Sequence, residues 1–181
     1  MTDPVAAWHA EHAYFSQLLR LLRREVDAFH AGGDPNYDLV ADILGYLREY
    51  SDRVHHARED VAFARLARHC PDLALVLSRL QQEHRVIATA GAELSLQLDA
   101  ARDGEIVPRE RIEASAATYL AYYESHIAKE EHDILSRAAR ELTPADWEAV
   151  RVAVPSIPDP VFGRDPPDRF KALRRRIAQE S

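Results

Sequence analysis

The sequence predicts an all-α fold: an antiparallel up-down-up-down four-helix bundle with a C-terminal helical tail. Three observations carry that expectation. Proline and glycine divide most of the chain into four long stretches of helical periodicity. Strand-like alternation is almost absent. Residues 1–70 are echoed, feature by feature, in residues 72–141.

Helix 1 is expected over about 4–31, opened by Asp3-Pro4 and closed by Gly32-Gly33. Proline suits the first helical turn, where its missing N–H would have gone unpaired, and aspartate is a natural N-cap. Helix 2 is expected over about 36–69, with Asp34-Pro35 before it and Cys70-Pro71 after it. Helix 3 follows over about 72–103 and stops at Gly104, since a residue just past a helix end often adopts the left-handed conformation. Helix 4, after Pro108, is expected over about 108–141 and ends before Thr143-Pro144. Helices of this size are about 45 Å long at 1.5 Å per residue. Short connections make successive helices antiparallel neighbours.

The bundle is assigned to residues 1–142 and the tail to residues 143–181. Thr143-Pro144-Ala145-Asp146 reads as a capping-box start for a short helix carrying Trp147. "VPSIPDPVFGRDPP" is an irregular connection, and "DRFKALRRRIAQ" a terminal helix. The tail is expected to pack on the outside of the bundle.

Composition narrows the function. With 46% hydrophobic residues the chain of 181 can bury a core. A net charge of -7 argues against a nucleic-acid or anionic-membrane surface. No apolar run is long enough to span a bilayer, and MTDPVAAW carries no signal-peptide pattern, so a soluble cytoplasmic protein is expected. The single cysteine, Cys70, excludes an internal disulfide and any Cys-based zinc or iron–sulfur site.

The chemistry lies in the repeat. "AEHAYF" around His12 matches "QEHRVI" around His84, and "HHARED" from His55 matches "HIAKEE" from His126. The first histidines are 72 residues apart and the second 71. Counting 1.5 Å per residue from the turns puts His12, His55, Glu59, His84, His126 and Glu130 at one level of an antiparallel bundle. Residues i and i+4 share a helix face, so each His-x-x-x-Glu pair offers a nitrogen and carboxylate oxygens to one point in the core. Four imidazoles and two carboxylates suit two metal ions, each with two histidines and, if both glutamates bridge, two shared oxygens. Imidazole with carboxylate favours iron or manganese, with zinc possible. His56-x-x-x-Asp60 also has the spacing, but His56 aligns with Ile127, and Glu49, Asp52 and Arg53 lie around it, so His56 is expected on the surface with His30, His69 and His132. Glu131 is expected to face solvent too.

The pattern H…HxxxE…H…HxxxE over about residues 5–141 resembles the hemerythrin-like, HHE cation-binding family. The ligand set is most similar to the di-iron proteins implicated in iron–sulfur cluster repair. The resemblance implies metal ligands at His12, His55, Glu59, His84, His126 and Glu130, holding two iron ions bridged by Glu59 and Glu130 with an oxo or hydroxo group. It implies a small partner: dioxygen, nitric oxide or peroxide. Two departures point away from reversible oxygen carriage. Ala88 stands where oxygen-carrying hemerythrins have a further histidine, and His126-x-x-x-Glu130 replaces their His-x-x-x-x-Asp pair. A metal, oxygen or redox sensor, an iron-handling module without turnover, and a structural metal site are the other readings.

Around this set, Tyr119, Tyr122 and Tyr123 precede His126 on its face and are expected to fill core space, with a hydrogen bond to a metal ligand as the sharper option. Ala88, Gly91 and Ala92 either leave a channel or allow close helix approach. Glu11 and Glu83 each precede a candidate ligand, but neighbouring helical residues point about 100° apart, so direct support of those histidines is not expected.

Overall fold

The computed structural model describes residues 3–179, and among them there is no strand. Helix α1 is Pro4–His30, with Asp3 capping the amide of Val5 at 3.0 Å. Helix α2 runs without interruption over 37–69, but its middle, Leu47–His55, is a π-helix set between the α-helical parts Tyr37–Tyr46 and His56–His69. A 3₁₀ turn at Pro71–Leu73 leads into α3, Ala74–Arg102. Helix α4 covers 109–141 and has its own π segment, Glu130–Ile134, between Arg109–Lys129 and Leu135–Glu141. Two shorter helices, α5 (Pro144–Ala153) and α6 (Asp168–Gln179), complete the chain.

The boundaries follow local chemistry. Helix α2 starts one residue later than the prolines suggest, because the Asn36 side chain accepts from the amide of Leu39 and takes the cap expected of Asp34. Gly32 and Gly104, just beyond α1 and α3, have φ of 86° and 87°, a region that costs side-chain-bearing residues about 1 kcal/mol or more. The capping box at the start of α5 is present: Thr143 and Asp146 each bond the other's backbone.

The apolar core is in two parts. The larger contains Phe15 to Leu22 of α1, Ile43, Leu44 and Leu47 of α2, Leu94 and Leu98 of α3, and Tyr119, Leu120 and Tyr123 of α4. The smaller contains Val5, Trp8, Phe63, Leu66, Leu77, Leu80, Ile134 and Leu135. Along α1, α2 and α3 the candidate ligands fall between these two sets, and on α4 His126 and Glu130 flank Ile127, the last residue of the larger one. The tail covers both: Phe170, Leu173 and Ile177 of α6 join the larger part, and Val150 with Trp147 of α5 the smaller. Trp147 packs edge-on against Trp8 at 5.3 Å, Asp146 pairs with Arg65 and His69, and Tyr46 donates to Asp159 at 2.7 Å. Helices α3 and α4 approach closely at Gly91, where a Cβ would sit 2.8 Å from the Tyr119 ring. Of the two roles open to the small-residue stripe, close approach is the one this contact serves.

Candidate metal centre

His12 from α1, His55 and Glu59 from α2, His84 from α3, and His126 and Glu130 from α4 converge between the two core regions. All six are buried, and His55, Glu59, His126 and Glu130 are 0% exposed. His12 Nε2 lies 2.9 Å from His55 Nε2, and His55 Nε2 lies 3.0 Å from Glu59 Oε1. On the other side, His126 Nε2 is 3.1 Å and His84 Nε2 3.6 Å from Glu130 Oε1. Each carboxylate spans both sides. Glu59 turns Oε1 to the His12/His55 pair and Oε2 to His84 at 3.5 Å; Glu130 turns Oε1 to the His84/His126 pair and Oε2 to His12 at 3.4 Å. Neighbouring donors around an ion about 2.1 Å away lie roughly 3 Å apart, which is the scale of these distances.

Both oxygens of Glu59 and of Glu130, together with His84 Nε2 and His126 Nε2, lack a hydrogen-bond partner. Each instead lies 3.0–3.6 Å from another donor atom of the set. Buried polar atoms left in this state cost about 1–3 kcal/mol each, more when charged. A cation shared among them removes that cost, so the residues present fit a metal.

The outer face of each imidazole is held by a carboxylate. His55 Nδ1 donates to Glu11 at 2.5 Å, His12 Nδ1 to Glu131 at 2.7 Å, His84 Nδ1 to Asp60 at 2.8 Å, and His126 Nδ1 to Glu83 at 3.3 Å. An ionised carboxylate only accepts, so each Nδ1 keeps its proton and each Nε2 is the atom left to face inward. Arg58 pairs with Glu11 and Lys129 with Glu83, both from the third position after the helix histidine. The electrostatics are strong: burial opposes protonation of His12, yet Glu131 and Glu59 raise it to about 10. His84 reaches about 11 through Asp60, Glu130 and Glu59, again against burial.

The sequence of residues 3–138 matches the hemerythrin HHE cation-binding domain. The chain belongs to that family. Among curated proteins none matches the chain. A hemerythrin HHE domain with a buried His/Glu cluster is a metal-binding domain. No helix among the described residues is long and apolar enough to cross a membrane.

Several residues of this HHE domain sit differently from expectation. His56 is 3% exposed rather than on the surface. The cause is the π-helix: its amide bonds Ser51 five residues back, so Ser51 and His56 share a face that a 3.6-residue period does not bring together. Glu131 is only partly exposed, because it accepts from both His12 and His9. Tyr122 is exposed, whereas Tyr119 and Tyr123 are buried, and Tyr123 hydrogen-bonds Ser51. Glu11 and Glu83 do support histidines, but on the neighbouring helix. The signal was in the repeat, which conserves their position before His12 and His84.

Proposed function

We propose that this chain is a non-haem di-iron protein that binds or reacts with a small oxidant: dioxygen, nitric oxide or peroxide. His12 and His55 would hold one ion, His84 and His126 the other, and Glu59 and Glu130 would serve both. The observation that carries the reading is the pair of fully buried carboxylates, each with one oxygen toward each histidine pair and no hydrogen-bond partner. Charge supports the count of two. Glu59, Glu130, Glu11, Glu83, Asp60 and Glu131 surround the histidines, and Arg58 and Lys129 offset two of these six carboxylates. Two divalent cations cancel the remaining four negative charges. Asp52, a seventh carboxyl nearby, is pushed up to about 7 by burial and adds about half a charge at neutral pH.

The imidazole and carboxylate donors favour iron or manganese over softer metals. Bound iron would supply electrons and a Lewis acid. The protein's own share is positioning: the outer carboxylates fix the imidazole tautomers and ring planes, and the flanking core regions keep bulk water away. Trp8, Phe15 and Phe63 line that boundary, with Phe15 edge-on to His55 at 4.9 Å and Phe63 stacked on His84 at 6.0 Å. The proposed division gives metal chemistry to residues 1–142 and bracing of the bundle to residues 143–181.

Anaerobic reconstitution with ferrous iron, followed by metal analysis, tests the ligand set; about two irons per chain are expected from the donor count. No bound iron would overturn the di-iron reading. Adding dioxygen, nitric oxide and peroxide in turn while recording visible spectra tests reactivity. Unchanged spectra with all three would assign the centre to metal sensing or iron handling without turnover.

A further inference from the structure

His56 lies outside both the repeat and the set of six. One of its ring nitrogens nevertheless lies within 4.8 Å of ligand atoms of Glu59, His84 and His126, all four residues being buried. Its ring stacks on His84, centroids 4.3 Å apart and planes 10° from parallel, and stands edge-on to His126 at 5.4 Å. Packing alone would account for a buried ring here. It does not account for the ring's nitrogens.

Nδ1 of His56 is buried without a hydrogen-bond partner, and so is Asp52 Oδ1, the carboxylate oxygen 3.4 Å from it. The other nitrogen, Nε2, has only Ser51 Oγ at 3.4 Å, a long contact for a hydrogen bond. A buried imidazole this poorly satisfied is costly unless a further partner completes it. Asp52 Oδ1 is placed beside Nδ1 as Glu11, Glu131, Asp60 and Glu83 are beside the other four histidines, but at 3.4 Å it does not complete a hydrogen bond. Here the carboxylate comes from the same helix, one turn earlier, rather than from a neighbour.

We propose that His56 is a fifth nitrogen ligand of the centre, bound to the ion held by His84 and His126 and oriented by Asp52. The two metal positions are therefore unlike, one with two imidazoles and the other with three. The inference rests on the two-ion reading given above. It assigns to the first half of the chain a ligand for the second half's metal.

Anaerobic titration of the metal-free protein with cobalt(II), read by visible absorption, tests it on the wild type, His56→Phe and Asp52→Asn. Phenylalanine keeps a ring against His84 and removes the nitrogens. The wild type should take up two ions in distinguishable steps. In His56→Phe one step should keep its affinity, while the other weakens at least tenfold and its ligand-field bands shift. Asp52→Asn should weaken that same step by about 10-fold to 100-fold, the range for a group that orients a metal-bound histidine. Circular dichroism of the metal-free variants checks the fold, and His56→Leu replaces His56→Phe if the latter fails to melt cooperatively. Two ions bound with wild-type affinities and bands in the ring-nitrogen variant would overturn the proposal, as would equal weakening of both steps. Failure of the wild type to take up two ions would instead overturn the two-ion reading.

Discussion

In residues 1–70 the π-helix comes before the His-x-x-x-Glu pair, at Leu47–His55; in residues 72–141 it comes after, at Glu130–Ile134. The two halves agree in the carboxylates that hold the outer nitrogens of the candidate ligands. Glu11 and Arg58 around His55 correspond to Glu83 and Lys129 around His126, and Asp60 beside Glu59 corresponds to Glu131 beside Glu130. They differ in what surrounds that shell. His56 and Asp52 stand where the second half has Ile127 and Tyr123, and Leu19 and Arg48 stand where it has Gly91 and Tyr119. Symmetry is kept by the six candidate ligands and their outer carboxylates, and lost at His56 and in the packing.

The largest expected effect comes from removing one inner imidazole. His55→Ala and His126→Ala should each lose most bound iron, measured as metal per chain after ferrous reconstitution. A full complement in either variant would break the equivalence of the halves and the ligand assignment with it.

Next come the outer carboxylates, which should not be equivalent. Glu11→Gln and Glu83→Gln are each expected to weaken metal binding by about 10-fold to 100-fold. Glu11 is the more enclosed and also accepts from Tyr50 at 2.9 Å and from Arg58, so its removal also strands a half-buried guanidinium. Glu11→Gln should therefore lower the melting temperature of the metal-free protein, and Glu83→Gln much less.

The same pair sets an acid limit. Burial pushes Glu11 up, but His55 and Arg58 outweigh it and hold the carboxyl at about 2. His126 and Lys129 hold Glu83 at about 2 as well, against a smaller burial penalty. A carboxylate depressed from its ordinary 4.5 contributes stability that is fully present above that value and is lost as pH falls toward 2. The melting temperature of the metal-free protein should fall across that window, less steeply in Glu11→Gln. Metal uptake near neutral pH should release protons, because His12 and His84 are protonated there without metal. An indicator-dye titration reads this directly.

The smallest effect tests the packing difference. Gly91→Ala gains about 1 kcal/mol in helix propensity but drives a methyl into the buried Tyr119 ring, where overpacking costs about 1–3 kcal/mol. A net loss of about 1 kcal/mol is expected by denaturant unfolding. Leu19, its counterpart in α1, already fills the equivalent place.

How much was legible in the sequence depended on whether the helical period held. His12, His55, Glu59, His84, His126 and Glu130 are legible because repeat spacings of 72 and 71 residues across four helices leave little freedom in height. Asp3 and the Thr143–Asp146 box were readable because caps act within one turn of chain. Glu11 and Glu83 were readable as repeated residues but not as partners, since each serves a histidine more than forty positions away, His55 and His126. His56 was misplaced because a π-helix, whose bonds run five residues back, shifts the face by about a residue.

Spacing along single helices is enough to set the helices, their antiparallel order and the donors that meet at one level. Tertiary structure decided which carboxylate holds which imidazole and that His56 turns inward. Those are contacts between helices, or consequences of a widened turn, and no regular period along the chain encodes them.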